Sequence, residues 1–133
     1  MKSVEDIETA LMEIGLPYHE VEPGQWILTD QAEVTQALVT HSGPVIDIRI
    51  QITRLPSNNR EPLMRLLLEL NASELLYGAY GIDGEQIVLV EVLSTEHTSL
   101  AVLSEAFDAL FMTVATQRGM IERTLNKARG QEA

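Results

Sequence analysis

The segment that decides the fold is Val45–Leu55, VIDIRIQITRL, in which isoleucines at every second position alternate with polar residues. Successive side chains of a strand point to opposite faces of its sheet, so this segment predicts a strand with one buried and one solvated face. Strands of parallel sheets are usually apolar on both faces, whereas antiparallel sheets are often solvated on one side. The alternation therefore favours an antiparallel sheet and argues against a doubly wound fold.

Turn residues before and after this strand predict further strands. Pro23-Gly24 separates two short extended runs within Tyr18–Thr29, and Asp83-Gly84 separates two β-rich runs within Leu75–Leu93. An Asp-Gly pair between β-rich runs is a strong hairpin signal, and we expect both of its residues to occupy the turn with positive φ. The run Val34–His41 has strand length, but its pattern leaves helix and strand open.

Three helices complete the expected fold. Ser3 is expected to cap the first helix, with Asp6 in a capping box. Asn58 is expected to cap the second, which is a Leu-rich helix ending near Asn71. Apolar residues at helical spacing between Thr98 and Arg129 predict the third. The sequence thus predicts an α+β fold, a twisted antiparallel sheet flanked by an N-terminal helix, a Leu-rich middle helix and a long C-terminal helix, in one domain over residues 1–133.

Composition excludes several classes of function. The 133 residues carry 20 acidic and 9 basic side chains, a net charge of -11, which disfavours binding to nucleic acid or to an anionic membrane surface. The absence of cysteine removes disulfides, thiolate nucleophiles and cysteine-based metal sites. An acidic N-terminus without a leader-type apolar stretch, and the lack of a run of 18 apolar residues, predict a cytoplasmic protein.

No motif in the sequence predicts an active site. The histidines His19, His41 and His97 occur in none of the spacings HxH, HxxxH or HExxH, and Gly-x-Ser-x-Gly is absent. The glycines at 78, 81 and 84 lie around a predicted hairpin rather than at the start of a helix, so they do not form a phosphate-binding loop. We therefore predict no catalytic, metal-binding or cofactor-binding residue, and an enzyme using the three histidines is the least favoured alternative.

Two groups of residues are candidates for binding. Arg49 and Arg54 are basic residues on a predicted solvated strand of an acidic protein, and they suggest either an anion site or ordinary surface ion pairs. A helix of some thirty residues is about 45 Å long, which exceeds the width of a domain of this size. The default for its apolar stripe is to cover the chain's own sheet, and Phe111, Ile121 and Leu125 are the candidates for contact with a second copy in a homodimer.

Three segments carry a family resemblance: Leu66–Asn71 (LLLELN), Gly78–Asp83 (GAYGID) and Ile87–Val90 (IVLV). Together with the order of helices and strands, they resemble the type III secretion chaperone-like superfamily, most closely its YbjN-type branch of bacterial cytoplasmic proteins. The resemblance implies a small acidic homodimer, with a twisted antiparallel sheet flanked by helices. It also implies apolar surface patches that hold a partly unfolded protein, and it transfers no cofactor or site residue.

The function expected from these observations is non-enzymatic protein binding, as a chaperone or regulatory adaptor that acts as a homodimer. A protein client would be bound by strand addition or by burial of its apolar segment in a groove. The alternative is a small-molecule or anion sensor that binds its ligand near Arg49 and Arg54.

Overall fold

The sequence folds into one antiparallel sheet and three helices in a computed structural model that describes residues 1–32 and 34–130. The elements are α1 (Val4–Ile14), β1 (Tyr18–Glu22), β2 (Gln25–Asp30), β3 (Thr35–Ser42), β4 (Val45–Arg54), α2 (Glu61–Ser73), β5 (Ala79–Asp83), β6 (Gln86–Ser94) and α3 (Leu100–Gly130). The strand order is β1-β2-β3-β4-β6-β5, and every neighbouring pair is antiparallel. The predicted α+β fold is confirmed, and the undecided run Val34–His41 forms most of strand β3.

The core lies on one face of the sheet. Ile46, Ile48 and Ile50 are fully buried, and they join one apolar cluster with residues of α1, α2 and α3. All three helices therefore cover the same face. The opposite face carries the polar half of the β4 alternation and has no helix among the described residues, so we call it the open face.

The β5–β6 hairpin forms as predicted, but its turn residues differ from the expected pair. Asp83 is still paired with Gln86, so the two turn residues are Gly84 and Glu85. Gly84 has φ 61°, and Asp83 is not among the described residues with positive φ. A glycine at the first of two turn positions suits a type II′ hairpin, which needs positive φ only there.

Of the two predicted helix caps, the one at α1 is present and the one at α2 is not. At α1, the Asp6 N–H donates to Ser3 Oγ at 3.0 Å and the Ser3 N–H donates to Asp6 Oδ2 at 3.2 Å, so the capping box is confirmed. At α2, the prediction that Asn58 is the cap is wrong: the cap position is Arg60, which makes no capping side-chain bond. The chain reaches it through Asn59, whose φ is 56°.

Helix α3 packs along the core with ten buried residues. Phe111 is 6%, Ile121 1% and Leu125 3% exposed, and the ring of Phe111 stacks on Phe107 at a centroid distance of 6.3 Å. The expectation that these three residues contact a second copy is therefore corrected: the chain's own core already covers them. A contact between copies has to use exposed residues instead.

Helix α3 is also the one described helix that is long and apolar enough to cross a membrane by length and composition alone. Of its most apolar window, 39% is buried inside the protein. One such helix is weak evidence for a membrane span, because core helices of soluble proteins satisfy the same criterion.

Candidate functional site

A row of side chains crosses the open face of the sheet. Ile27 of β2 is paired with Leu38 of β3, Leu38 with Arg49 of β4, and Arg49 with Val90 of β6. All but Arg49 are apolar, and each of the apolar three is only partly buried. Because side chains of paired residues lie side by side, this row forms a partly apolar strip that no helix covers.

A cavity of about 500 Å³ lies at this strip. Apolar, amide and charged side chains line it together: Ile27, Val34, Thr35, Gln36, Leu38, Arg49, Gln51, Asp83, Val88 and Arg118. Val88 is only 5% exposed although it belongs to the open face. The cavity therefore combines an apolar floor with groups that can hydrogen-bond a ligand or a polypeptide.

The cavity brings together a different pair of arginines from the predicted one. Arg49 lines it, with Nε 3.1 Å from Asp47 Oδ1 and Nη1 3.2 Å from Asp83 Oδ2. Arg54 does not line it, because it lies at the end of β4 opposite Gln86. The second guanidinium belongs to Arg118 of α3.

Arg118 donates from Nη2 to Thr35 Oγ1 at 3.3 Å. It is separated from Arg49 by more than half of the chain, so no spacing in the sequence could indicate this pair. The Arg49 charge already faces two carboxylates, whereas the described bond of Arg118 goes to a neutral hydroxyl.

The two edge strands of the sheet differ in whether a side chain hydrogen-bonds to their backbone. At β5, the side-chain amide of Asn71 accepts from the Tyr80 N–H at 2.8 Å and donates to the Tyr80 carbonyl at 3.1 Å. At β1, no described side chain bonds to the backbone. The β1 side chains are also mostly exposed, and Val21 is 50% exposed.

Tyr80 also anchors the edge strand β5 to the core. Its hydroxyl donates to Gln117 Oε1 of α3 at 2.6 Å, in a buried contact. Burial of the phenol raises the pKa of Tyr80 to about 12. Asn71 and Gln117 thus hold β5 against two helices, and neither residue carries a sequence signal for this role beyond the resemblance that includes Asn71.

The three histidines are not assembled into a site. His19 is paired with Ile27 and faces the open side, whereas His41 is paired with the fully buried Ile46 and faces the core side. His97 is exposed in the segment between β6 and α3. No group of three metal-ligating side chains occurs among residues 1–32 and 34–130.

Large apolar side chains are also exposed on the helices and in the segment after α2. Leu68 of α2 is 70% exposed, and Met112 and Met120 of α3 are 66% and 40% exposed. Leu76, in the segment after α2, is 87% exposed. We call these four residues the helical patch.

Comparison with known proteins relates this fold to solved structures. No family model and no curated protein matches the chain. A chain of the heterodimeric ExoU–SpcU complex from the type III secretion system of Pseudomonas aeruginosa matches with a TM-score of 0.64 and 18% identity, covering 92% of this chain and 97% of the other.

Two further structures have similar architecture. The complex of the Yersinia pestis type III secretion chaperone SycH with a fragment of YscM2 matches with a TM-score of 0.62 and 17% identity, covering 85% of this chain and 97% of the other. YbjN from E. coli matches with a TM-score of 0.59 and 14% identity, covering 98% and 93%. The resemblance predicted from the sequence is confirmed at the level of the fold: this chain has the architecture shared by type III secretion chaperones and YbjN.

Proposed function

We propose that the protein is a non-enzymatic protein-binding module, a chaperone or regulatory adaptor, that holds a protein client on the open side of its sheet. The observation that carries the proposal is the uncovered row Ile27–Leu38–Arg49–Val90, in which apolar side chains remain partly exposed on a six-stranded sheet. A partly apolar surface with interspersed polar groups is typical of a protein interface.

Other features support this proposal. The solved complexes with similar folds pair a secretion chaperone with another protein, as SycH does with YscM2. His19 and His41 face opposite sides of the sheet and His97 lies in the segment between β6 and α3, so the three histidines are not assembled into one site. The acidic composition suits a cytoplasmic protein that binds polypeptide rather than nucleic acid.

Affinity purification from the native host tests the proposal when it is done with matched variants. Leu38→Glu places a charge in the middle of the open face, whereas Met12→Glu places the same charge on a 65% exposed position of α1, outside the helical patch. We expect a near-stoichiometric partner to co-elute with the wild type and with Met12→Glu but not with Leu38→Glu. Co-elution that is unchanged in Leu38→Glu, in a protein that still folds, contradicts the proposal.

We further propose that the protein acts as a homodimer, with the helical patch as the contact between copies. Leu68, Leu76, Met112 and Met120 are large apolar side chains exposed in the single chain. Apolar side chains that are exposed together mark association surfaces, and contact between copies would cover these four. This arrangement leaves the open face free for the client.

A second candidate function is an anion sensor, and the cavity lined by Arg49 and Arg118 favours it. A carboxylate or phosphate group would bind to the Arg118 guanidinium, and the apolar floor would take the rest of the molecule. Thermal denaturation with added inorganic phosphate or succinate tests this function. We expect a rise in Tm that is lost in Arg118→Ala; no rise with either anion counts against it.

A further inference from the structure

The solvent-facing side of α3 carries opposite charges at its two ends. In a helix, residues three and four positions apart lie on the same face. The face opposite the buried residues of α3 is formed by seven exposed residues at that spacing, which we call the α3 outer face: Glu105, Asp108, Met112, Thr116, Gly119, Arg123 and Lys127. The first two are acidic, the last two are basic, and the three between them are uncharged.

The division of charge extends along all of α3. Residues 100–115 contain two acidic side chains and no basic one, whereas residues 116–130 contain four basic side chains and one acidic one. The helix dipole favours basic residues in the last turn, which accounts for Lys127 and Arg129. Asp108 and Arg123 lie about two turns inside the helix, where the effect of the dipole has fallen off. The dipole therefore does not explain these two charges.

Asp108 and Arg123 have no counter-charge within the chain. Among the residues that the structure describes, the salt bridges are formed by Arg49, Arg60 and Arg65, and none of them involves α3. Both Asp108 and Arg123 are exposed. They are roughly 22 Å apart along the helix axis, too far to pair with each other in one chain. Each of them is available to a charge on another molecule.

A cavity of about 610 Å³ lies beside the acidic half of the α3 outer face. Its lining combines carboxylates with apolar and aromatic side chains: Leu76, Tyr77, Glu105, Asp108 and Ala109. The Tyr77 hydroxyl donates to Glu105 Oε2 at 3.4 Å, and burial together with the Glu105 charge raises the pKa of Tyr77. The cavity therefore suits a long basic side chain, whose charge pairs with the carboxylates while its stem lies on Leu76 and the Tyr77 ring.

Antiparallel contact of two α3 helices brings their opposite ends together. A twofold axis that passes between Ala115 and Thr116 makes Asp108 of one copy face Arg123 of the other, and Met112 face Gly119. In such an isologous contact each of these pairs occurs twice. The glycine lets the two backbones approach each other at Met112. Parallel contact would instead place acidic ends on acidic ends and basic ends on basic ends.

We infer that the α3 outer face binds the same face of a second copy in antiparallel orientation, with Arg123 of each copy seated against Asp108 in the cavity beside Tyr77 of the other copy. This inference rests on the proposed homodimer and specifies its contact. Met112 belongs both to the helical patch and to this face. An acidic segment of a different protein would pair with the basic half only and would leave the acidic half without a partner.

Charge reversal at the two facing positions tests the contact. At low ionic strength we expect Asp108→Lys and Arg123→Glu each to raise the dissociation constant of the dimer about tenfold, because two attractive pairs become repulsive. We expect an equimolar mixture of the two variants to dimerise as the wild type does, since every pair between them again joins opposite charges. Glu13→Lys, an equal change of charge at an exposed position of α1, is the control and should leave the dimer unchanged. Analytical ultracentrifugation measures all four proteins and the mixture.

Single cysteines test the register, because the chain has no cysteine of its own. Thr116→Cys places a thiol next to the twofold axis, so we expect mild oxidation to give a disulfide-linked dimer. Ala101→Cys places a thiol at another exposed position of α3. Its two copies would be roughly 40 Å apart in the antiparallel contact, and we expect no disulfide between them.

The outcomes separate failure of this contact from failure of the homodimer. A wild type that stays monomeric rejects both. A dimer that neither charge reversal weakens, or variants that remain monomeric when mixed, contradicts the pairing of Asp108 with Arg123 and leaves the homodimer in place. A disulfide-linked dimer from Ala101→Cys, or none from Thr116→Cys, contradicts the antiparallel register in the same way.

Discussion

Tyr80 shows how single residues fix the edge of this sheet. It belongs to β5, its backbone bonds to Asn71 of α2, and its hydroxyl bonds to Gln117 of α3. Three elements therefore meet at one residue, and the third of them, α3, is distant from the other two in sequence. The sequence does not reveal this role, because a tyrosine in a β-rich run and a glutamine in a helix have many ordinary explanations.

The raised pKa of Tyr80 predicts a loss of stability at high pH. Burial favours the neutral phenol, so the contribution of Tyr80 is fully present below the unfolded pKa of about 10 and is lost as pH rises toward its folded pKa of about 12. The loss is on the order of 2 kcal/mol. Urea denaturation at pH 9 and above measures it.

Tyr80→Phe is the matched variant for this prediction. It removes both the hydroxyl and its titration, so the free energy of unfolding should be lower than that of the wild type at pH 7 and should vary less between pH 10 and pH 12. The same alkaline loss in Tyr80→Phe as in the wild type would assign the effect to other groups.

The residues that line the cavity show the same limit of sequence analysis. Arg49 was identified from the alternation of β4, and it does line the cavity. Arg118, its partner there, belongs to α3, and only the packing of α3 against the sheet brings it to Thr35. An apolar helical stripe has the same pattern whether it covers its own sheet or another chain, so the sequence leaves both open for Phe111, Ile121 and Leu125, which lie in the chain's own core.

Among the elements, those with local signals were predicted well. The capping box of α1 and the alternation of β4 depend on residues within a few positions, and both are present. The cap of α2 was predicted wrongly because the positive φ of Asn59 and the position of Arg60 follow from how the chain leaves β4. The turn residues of the β5–β6 hairpin depend on strand register, which the sequence does not determine to one residue.

The capping box of α1 predicts a measurable loss of stability. Ser3→Ala removes the acceptor for the Asp6 N–H, and such changes typically cost about 1 kcal/mol in the free energy of unfolding. Chemical denaturation of the full chain measures the difference. Ser57→Ala, at an exposed position outside helices and strands, is the control and should leave the free energy of unfolding unchanged.

The same capping box makes the stability of the protein depend on pH in the acidic range. Backbone hydrogen bonds from Lys2 and Ser3 lower the pKa of Asp6, so the contribution of its carboxylate is present at neutral pH and is lost as pH falls through the lowered pKa. We expect Asp6→Asn to reduce the slope of stability against pH below pH 4, measured by denaturation across that range.

At the scale of the whole molecule, the central feature is a sheet with helices on one face only. The sequence predicts this arrangement, because β4 alternates between isoleucine and polar residues throughout its length. The resulting molecule exposes large apolar side chains in two places, on the open face and in the helical patch. We assign the first to the client and the second to another copy.

Light scattering tests the assignment of the helical patch. At micromolar concentration we expect a mass near twice 14.8 kDa for the wild type and a shift toward the monomer in Met112→Asp. Phe111→Asp should instead destabilise the fold, since that side chain lies in the core. A wild-type mass near 14.8 kDa rejects the homodimer.

The most direct test of protein binding on the open face is photo-crosslinking in the native host. A photoreactive amino acid is placed at position 38 on the open face, and in separate proteins at positions 68 and 112 of the helical patch. We predict that position 38 crosslinks to a different protein, and that positions 68 and 112 crosslink only to a second copy of this chain. Crosslinks to a different protein from positions 68 or 112 but not from position 38 would contradict this account.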